Sequence, residues 1–408
     1  MADSGPADLL LRCLSVRGGS GSSDQPGRVS PDDWDGVVDV AARHDLAPLL
    51  FKRLKESAAQ AQVPSDAWKR LRLAYFTSAS KNMYLYRELP AVLRCLLSSR
   101  IPVIVLKGAY LAGTVYGDIA LRPMSDVDLM VPRAELPRAQ AALLDIGGHQ
   151  HSEDIETSCR TSKHLPPVVV CGLGIEIHWS IASPTGPVRV DVSSLWDRSR
   201  PVTIADVQVL ALSPEDLLLH LCLHACYLDG LRRLRSFCDI AEAIRRFRGE
   251  IDWAQVVHSA REWGAVRYVG LALGLVQRML GAGVRFDVLE GLIPEGIDQR
   301  VFETAWKFAL TGTDYRQWRP LLDRPGVRSI VDRASFLWKR VFLSRDEMAA
   351  LYPASRDTRY LWSRYVLRLR DVVQTFVCHT LKRGLPVIRS REQDRNVSLV
   401  NWLRSGRS

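Results

Sequence analysis

The chain has 408 residues, 47% of them apolar and 25% charged, the mixture of a folded globular protein. This composition excludes a wholly disordered chain, a collagen-like repeat and a small disulfide scaffold, and at roughly 150 residues per domain it predicts two or three domains. The net charge is +10, and the stretch from Arg356 to the end, with twelve Lys/Arg against four Asp/Glu, carries +8. Such a stretch attracts nucleic acid, phosphorylated ligands or an acidic membrane surface; the plainer reading is a solvated, Arg-rich helix.

No apolar run approaches the ~18–20 residues that span a bilayer; Pro166 to Ile175 falls far short. The N-terminus lacks the basic start of a signal peptide. The chain is therefore read as cytoplasmic. Its eight cysteines are scattered without a CxxC pair, as free thiols are.

Residues 1–30 form a flexible N-terminus, with a linker at Gly18-Gly19-Ser20-Gly21-Ser22-Ser23. Ser30-Pro31-Asp32-Asp33 opens a helix, with Ser as N-cap, Pro at the first helical position and acids in the first turn. Helical pattern then fills a segment over 31–100. The character changes at Ile101, where Ile101 to Leu106 is a short β-branched run that reads as a buried strand. Lys107-Gly108 ends it, and Ala109 to Tyr116 reads as a helix. Val127–Val131 and Leu173–Trp179 read as strands, with a helix over Ala134–Leu144 between them. Shorter extended pieces follow at Val188–Val192 and Val207–Leu210. Residues 101–212 thus make a small α/β unit. Ser213-Pro214-Glu215-Asp216 starts another helix, and a helical domain runs over 213–355. Residues 356–408 read as a basic helix, to about Leu381, and a tail.

The chemistry concentrates in the α/β unit. Asp126 and Asp128 stand two apart on a strand, so both point to one face, ~6–7 Å apart along the chain. Neighbouring carboxylates repel each other, and a divalent cation removes that repulsion; the competing reading is an exposed strand end with two solvated acids. Glu176, in Ile175-Glu176-Ile177-His178-Trp179, is an acid among β-branched residues and shares its face with His178. It is assigned as a third metal ligand or a general base, with Asp191 and Asp154 as alternatives. Arg122, four residues before Asp126, is placed either to clamp a phosphate oxygen or to order its loop by a salt bridge. His220 and His224 lie four apart on a strongly apolar helix with no acid between them suited to a zinc protease, so a packed helix is favoured over zinc. Trp179, Trp196 and Trp253 read as core residues rather than base-stacking platforms.

The ordered set LKG, RPMSDVDLMV, EIHW and HLCLHA…LRSFCDI resembles a bacterial family called uncharacterised nucleotidyltransferases, within the DNA polymerase β-like superfamily. The resemblance runs from roughly Trp34 to about Tyr365. It implies an α+β fold: a polymerase β-like mixed sheet with helices, flanked by N- and C-terminal helical segments. It also implies Mg²⁺-dependent transfer of a nucleotidyl group from an NTP such as ATP to an acceptor. Carried over by position, Asp126 and Asp128 would bind two Mg²⁺ ions, with Mn²⁺ as a substitute, and Glu176 would complete one site and help activate the acceptor hydroxyl. Gly108 would let the backbone approach the triphosphate, and Lys107 would neutralise phosphate charge. Arg122, Ser125 and His224 would complete the nucleotide site, His224 beside Arg235 or Asp239. The pair Lys107-Gly108 departs from the superfamily's Gly-Gly or Gly-Ser, and the gap from Gly108 to Asp126 is longer than usual.

The expected acceptor is a hydroxyl on a small molecule, glycan or peptide, in a setting such as natural-product biosynthesis. Two other functions compete: a catalytically silent module that binds nucleotide or a partner, and an RNA-directed nucleotidyltransferase. Retention of all three carboxylates speaks against the first, and the absence of any recognisable RNA-binding module against the second.

Overall fold

The computed structural model describes residues 5–15, 30–150, 155–312 and 391–405. The chain divides into two compact units, residues 1–315 with 401–408, and residues 316–400. The linker at 18–23, the expected basic helix over 356–381 and Asp154 lie outside the described residues.

The elements are α1 (Pro6–Leu14), α2 (Pro31–Arg43), α3 (Ala47–Lys55), α4 (Ser65–Ser98), β1 (Ile104–Val105), α5 (Lys107–Tyr110), β2 (Asp126–Met130), α6 (Leu136–Asp145), α7 (Ile155–Thr161), β3 (Val168–Val170), β4 (Leu173–His178), α8 (Val192–Asp197), β5 (Arg200–Ile204), β6 (Val207–Ala211), α9 (Pro214–Leu223), α10 (Leu234–Arg246), α11 (Trp253–Glu262), α12 (Val266–Leu280), α13 (Phe286–Leu292), α14 (Gln299–Thr311) and α15 (Arg391–Arg404). The fold class is α+β. Six strands form one mixed sheet in the order β3-β4-β2-β1-β6-β5, with helices before and after it in the chain. No helix among the described residues is long and apolar enough to cross a membrane, and every described cysteine is a free thiol.

The N-terminal helices start where their caps direct. In α2, the Asp33 amide donates to the Ser30 hydroxyl at 3.2 Å, and the Ser30 amide donates back to the Asp33 carboxylate at 3.3 Å. This reciprocal pair satisfies two donors that the first turn leaves free. Beyond α2, the buried His44 ties the segment to the rest of the unit. Its Nδ1 accepts from the Leu234 amide at 3.2 Å, so its Nε2 carries the proton and donates to the Leu310 carbonyl at 3.1 Å.

Helix α4 positions the loop that leads into β2. Its inner stripe of Leu71, Leu85, Leu89, Leu93 and Leu96 is buried. The fully buried Asn82 donates to the carbonyls of Ile119 and Arg122, and the Tyr75 hydroxyl donates to Asp118 at 2.8 Å.

At the sheet centre β2 runs parallel to β4 and antiparallel to β1. Val127 and Leu129 of β2 and Ile175 and Ile177 of β4, which line one face of the sheet, are completely buried. The register pairs Asp126 with Gly174, Asp128 with Glu176 and Met130 with His178.

Four local expectations change. The N-terminus, expected to be flexible over 1–30, carries helix α1 with Leu9, Leu10, Leu11 and Leu14 buried. Strands β3 and β5 are additional to those read from the sequence. Each joins its neighbour through a two-residue turn with both central residues at positive φ, Cys171-Gly172 (48° and 72°) and Ala205-Asp206 (47° and 60°). That is type I′ geometry, but only Gly172 advertises it in the sequence. The extended piece expected at 188–192 is not a strand: Asp191 instead caps α8, accepting from the Ser193 amide at 3.1 Å. The helix expected over 109–116 starts earlier, at Lys107, and widens into a π-type turn over Leu111–Val115.

Candidate active site

The parallel pairing of β2 and β4 brings the chemistry together. Asp128 and Glu176 sit side by side in register, and His178 follows Glu176 on the same face. The ligand atoms of Asp128, Glu176 and His178 all lie within 4.8 Å of one another, and among the described residues this is the cluster that could hold a metal ion. His178 Nε2 approaches Asp128 Oδ1 at 2.8 Å and Glu176 Oε2 at 3.3 Å. Asp128 and His178 are buried, whereas the Glu176 side chain keeps 20% of its exposure.

Two lysines flank the cluster. Lys107 follows the end of β1, where the Leu106 amide donates to the Asp128 carbonyl at 3.0 Å. That bond sets the Lys107 ammonium 2.9 Å from Asp128 Oδ1. Lys163 arrives from the other side. Residues 163–165 run antiparallel along the end of β4, with the Leu165 amide on the Ile177 carbonyl at 2.9 Å and the Trp179 amide on the Lys163 carbonyl at 3.1 Å. This lays Lys163 Nζ 3.3 Å from His178 Nδ1 and His164 Nε2 3.9 Å from Glu176.

The electrostatics follow from burial and these contacts. Burial alone would raise the Asp128 carboxyl, but the Lys107 ammonium and the His178 ring override it and hold it well below the usual carboxylate range. The contact with His178 likewise holds Glu176 below its ordinary value, against burial and the Asp128 charge. Burial, with Lys107 as a neighbouring like charge, pushes Lys163 down to about 8. Both acids are therefore ionised at neutral pH.

Asp126 starts β2, half-buried, touched by the Ser125 hydroxyl at 3.3 Å and standing outside the three-residue cluster. Gly108 is buried, and a Cβ there would lie 3.1 Å from Met124 Sδ and 3.2 Å from Arg122 Nη1. Its missing side chain lets the loop before β2 close over the β1–α5 junction. Arg122 is buried in a fork with Asp239, Nε to Oδ1 at 3.0 Å and Nη2 to Oδ2 at 2.9 Å. The Tyr116 hydroxyl also donates to Asp239, at 2.9 Å. Arg122 thus ties the loop to α10. His224 pairs with Asp229 at 3.2 Å, and Asp229 accepts from Ser236 at 2.8 Å. Arg235 holds Asp45 at 3.0 Å and the Pro123 carbonyl at 3.1 Å. Asp191, one alternative third carboxylate, is occupied as the α8 cap.

Sequence reasoning did not assign His178, Lys163 or His164 to the site. The signal for His178 was its shared face with Glu176 at i, i+2. For Lys163 and His164 no local signal exists, because their position depends on which strand the 163–165 segment pairs with.

The donor set fits a divalent cation. Two carboxylates in register and a buried imidazole converge with their ligand atoms within 4.8 Å of one another, close enough to share one ion.

No curated protein matches the chain. Among solved structures it is similar to the antibiotic-resistance factor ANT(2'')-Ia in solution, at 12% identity and a TM-score of 0.30, over 40% of this chain and 83% of that one. It is likewise similar to ANT(2'')-Ia in complex with adenylyl-2''-tobramycin, at 13% identity and a TM-score of 0.30, over 40% of this chain and 88% of that one. Residues 30–281, which contain the whole sheet and the cluster built on it, match the model of the uncharacterised nucleotidyltransferases, and the chain belongs to that family.

Proposed function

We propose that the protein is a divalent-cation-dependent nucleotidyltransferase that moves an NMP from an NTP to a hydroxyl acceptor on a small molecule, glycan or peptide. The observation that carries this reading is the in-register pair Asp128–Glu176 with His178, flanked by Lys107 and Lys163. Family membership supports the reaction class.

Asp128, Glu176 and His178 would hold one divalent ion, and Asp126, on the same face of β2, is the carboxylate left for the second. Such ions supply charge neutralisation on the phosphate oxygens. Lys107 and Lys163 bring two ammonium groups to the same charge. Transfer of this kind depends on positioning and charge rather than covalent catalysis. Glu176 is the most exposed of the three ligand residues and is held ionised, so its carboxylate is the one an acceptor hydroxyl reaches. As the acceptor oxygen bonds to the α-phosphorus, its proton passes to Glu176. The bond to the bridging oxygen breaks, and pyrophosphate leaves with the electron pair. Gly108, Ser125 and His224 complete the nucleotide surface in this reading, whereas Arg122 acts through the loop it fixes.

The test uses NTPs labelled at the α- or γ-phosphate, with Mg²⁺ and a panel of hydroxylated acceptors, on wild type and Glu176→Gln. Label retained on the acceptor from the α-position only, lost in the variant, supports nucleotidyl transfer. Retention of the γ-label would replace it with phosphate transfer. No Mg²⁺-dependent NTP binding in equilibrium dialysis would overturn the reading.

A further inference from the structure

Gly174 has no role in the fold that explains it. It lies within β4, paired with Asp126 of β2 on one side and Val169 of β3 on the other. Glycine inside a strand weakens it, and marks a bulge, a tight bend or a place that a ligand or another backbone approaches closely. The pairing of β4 runs without a break through Gly174 on both sides, so there is no bulge. Its φ lies outside the left-handed region, so no bend requires it. A Cβ built there would meet no atom of the described residues within 4 Å, so no backbone of the chain approaches it. What remains is an approach from outside the chain.

Residues paired across a sheet share a face, as do residues two apart along a strand. Gly174 therefore lies on the face that carries Asp126, Asp128 and Glu176. The other face is closed, with Val168, Val170, Ile175 and Ile177 fully buried. On the Glu176 face β3 presents Val169, 43% exposed, and Pro167, two residues before it, is exposed as well. The Tyr84 hydroxyl holds the hairpin at the Cys171 carbonyl, at 2.9 Å. An open apolar floor thus runs from Glu176 over Gly174 to Val169. Lys163 does not occupy it, because that side chain stands at the opposite end of β4, against His178.

The strand order β3-β4-β2-β1 sets this floor on one side of Asp128 and Lys107, which follows β1, on the other. In-line displacement places the entering and leaving oxygens on opposite sides of the phosphorus. With the triphosphate drawn toward Lys107, the entering oxygen comes from the β4–β3 side.

We propose that the acceptor enters over Gly174 and rests an uncharged, apolar body on Val169, which delivers its hydroxyl to Glu176. The inference rests on the nucleotidyl-transfer reading and narrows the acceptor to a neutral compound with an apolar group next to the reacting hydroxyl. The acceptor oxygen bonds to the α-phosphorus, its proton passes to Glu176, and pyrophosphate leaves with the electron pair. Gly174 sets specificity by supplying space.

Benzyl alcohol is the probe, offered to the full chain with Mg²⁺ and an NTP labelled at the α-phosphate. The readout is how the label divides between free NMP, formed with water, and the benzyl ester of the NMP. Saturation-transfer NMR of benzyl alcohol, with the α,β-methylene analogue of the NTP, reads the same contact without turnover. Gly174→Leu should lower the ester-to-NMP ratio roughly tenfold or more, since a displaced acceptor loses its alignment, and should remove the saturation signal. Equilibrium dialysis of the NTP is the control. Val169→Asp should weaken the signal of benzyl alcohol and strengthen that of the cation benzylamine, a change of preference that a merely structural role would not give. That exposed edge position also decides the question should Gly174→Leu fail to fold. Equal benzyl signals in wild type and Gly174→Leu, with NTP binding intact, would overturn the path and leave the transferase reading standing. No benzyl alcohol signal in wild type with NTP bound, or a stronger one from benzylamine or benzyl phosphate, would overturn the neutral acceptor. Absence of Mg²⁺-dependent NTP binding in wild type would overturn the reading itself.

Discussion

Asp126 and Asp128 belong to one motif, yet their replacement has different consequences for stability. Asp128 is 2% exposed and faces Lys107 at 2.9 Å and His178 at 2.8 Å. At an effective dielectric of about 20, unit charges at that separation attract by about 6 kcal/mol. Asp128→Asn keeps an acceptor oxygen for His178 but strands the buried ammonium, and breaking a buried pair in this way costs ~3–5 kcal/mol. Asp126 is half-buried with one long contact to Ser125, so Asp126→Asn should stay within about 0.5 kcal/mol of wild type. Urea denaturation at neutral pH in the presence of a chelator, followed by circular dichroism, measures both. Lys107→Met combined with Asp128→Asn removes both charges and should recover most of the loss, a coupling that a double-mutant cycle reads directly. If Asp128→Asn proves as mild as Asp126→Asn, or if removing Lys107 adds to the damage rather than relieving it, the ion pair does not hold the site together as argued.

Arg122→Lys should destabilise by about 2 kcal/mol, since an ammonium cannot make the two-pronged contact with buried Asp239; a denaturation midpoint equal to wild type would contradict this. Gly108→Ala should cost about 1–2 kcal/mol and slow any turnover, because the new methyl meets Met124 and Arg122 at 3.1 and 3.2 Å; unchanged stability would show that the loop yields freely. His44 is held below its ordinary value chiefly by burial, so the folded state binds the proton less readily than the unfolded one. Its contribution is fully present above about pH 6.5 and is lost as pH falls through the lowered folded value. His44→Phe should therefore flatten the stability–pH curve below 6.5, and an unchanged slope would refute the assignment.

The helical segments were legible because each carries its own start signal and stripe. Ser30-Pro31 and Ser213-Pro214 cap helices that begin where expected. The apolar alternation of Val127–Val131 and Leu173–Trp179 placed the two strands that matter. The hairpin partners of the sheet edges were not legible, since Ala205-Asp206 adopts a turn geometry usually signalled by Asn-Gly or Asp-Gly. At the site, Asp128 and Glu176 were readable as acids in apolar strands. Arg122 carried two readings, phosphate clamp and salt bridge; the structure sets it on Asp239, 117 positions away in the chain.

What the sequence determined by itself is the acidic groups Asp128 and Glu176 and the local elements that carry them, because capping, periodicity and strand alternation are properties of neighbouring residues. What only the tertiary structure decided is which of those groups meet. The parallel register of β2 on β4 sets Asp128 beside Glu176 and His178, and the pairing of residues 163–165 along β4 adds Lys163. Register is fixed by burial of the apolar sheet face and by the loops that enter the strands, interactions between segments roughly fifty residues apart.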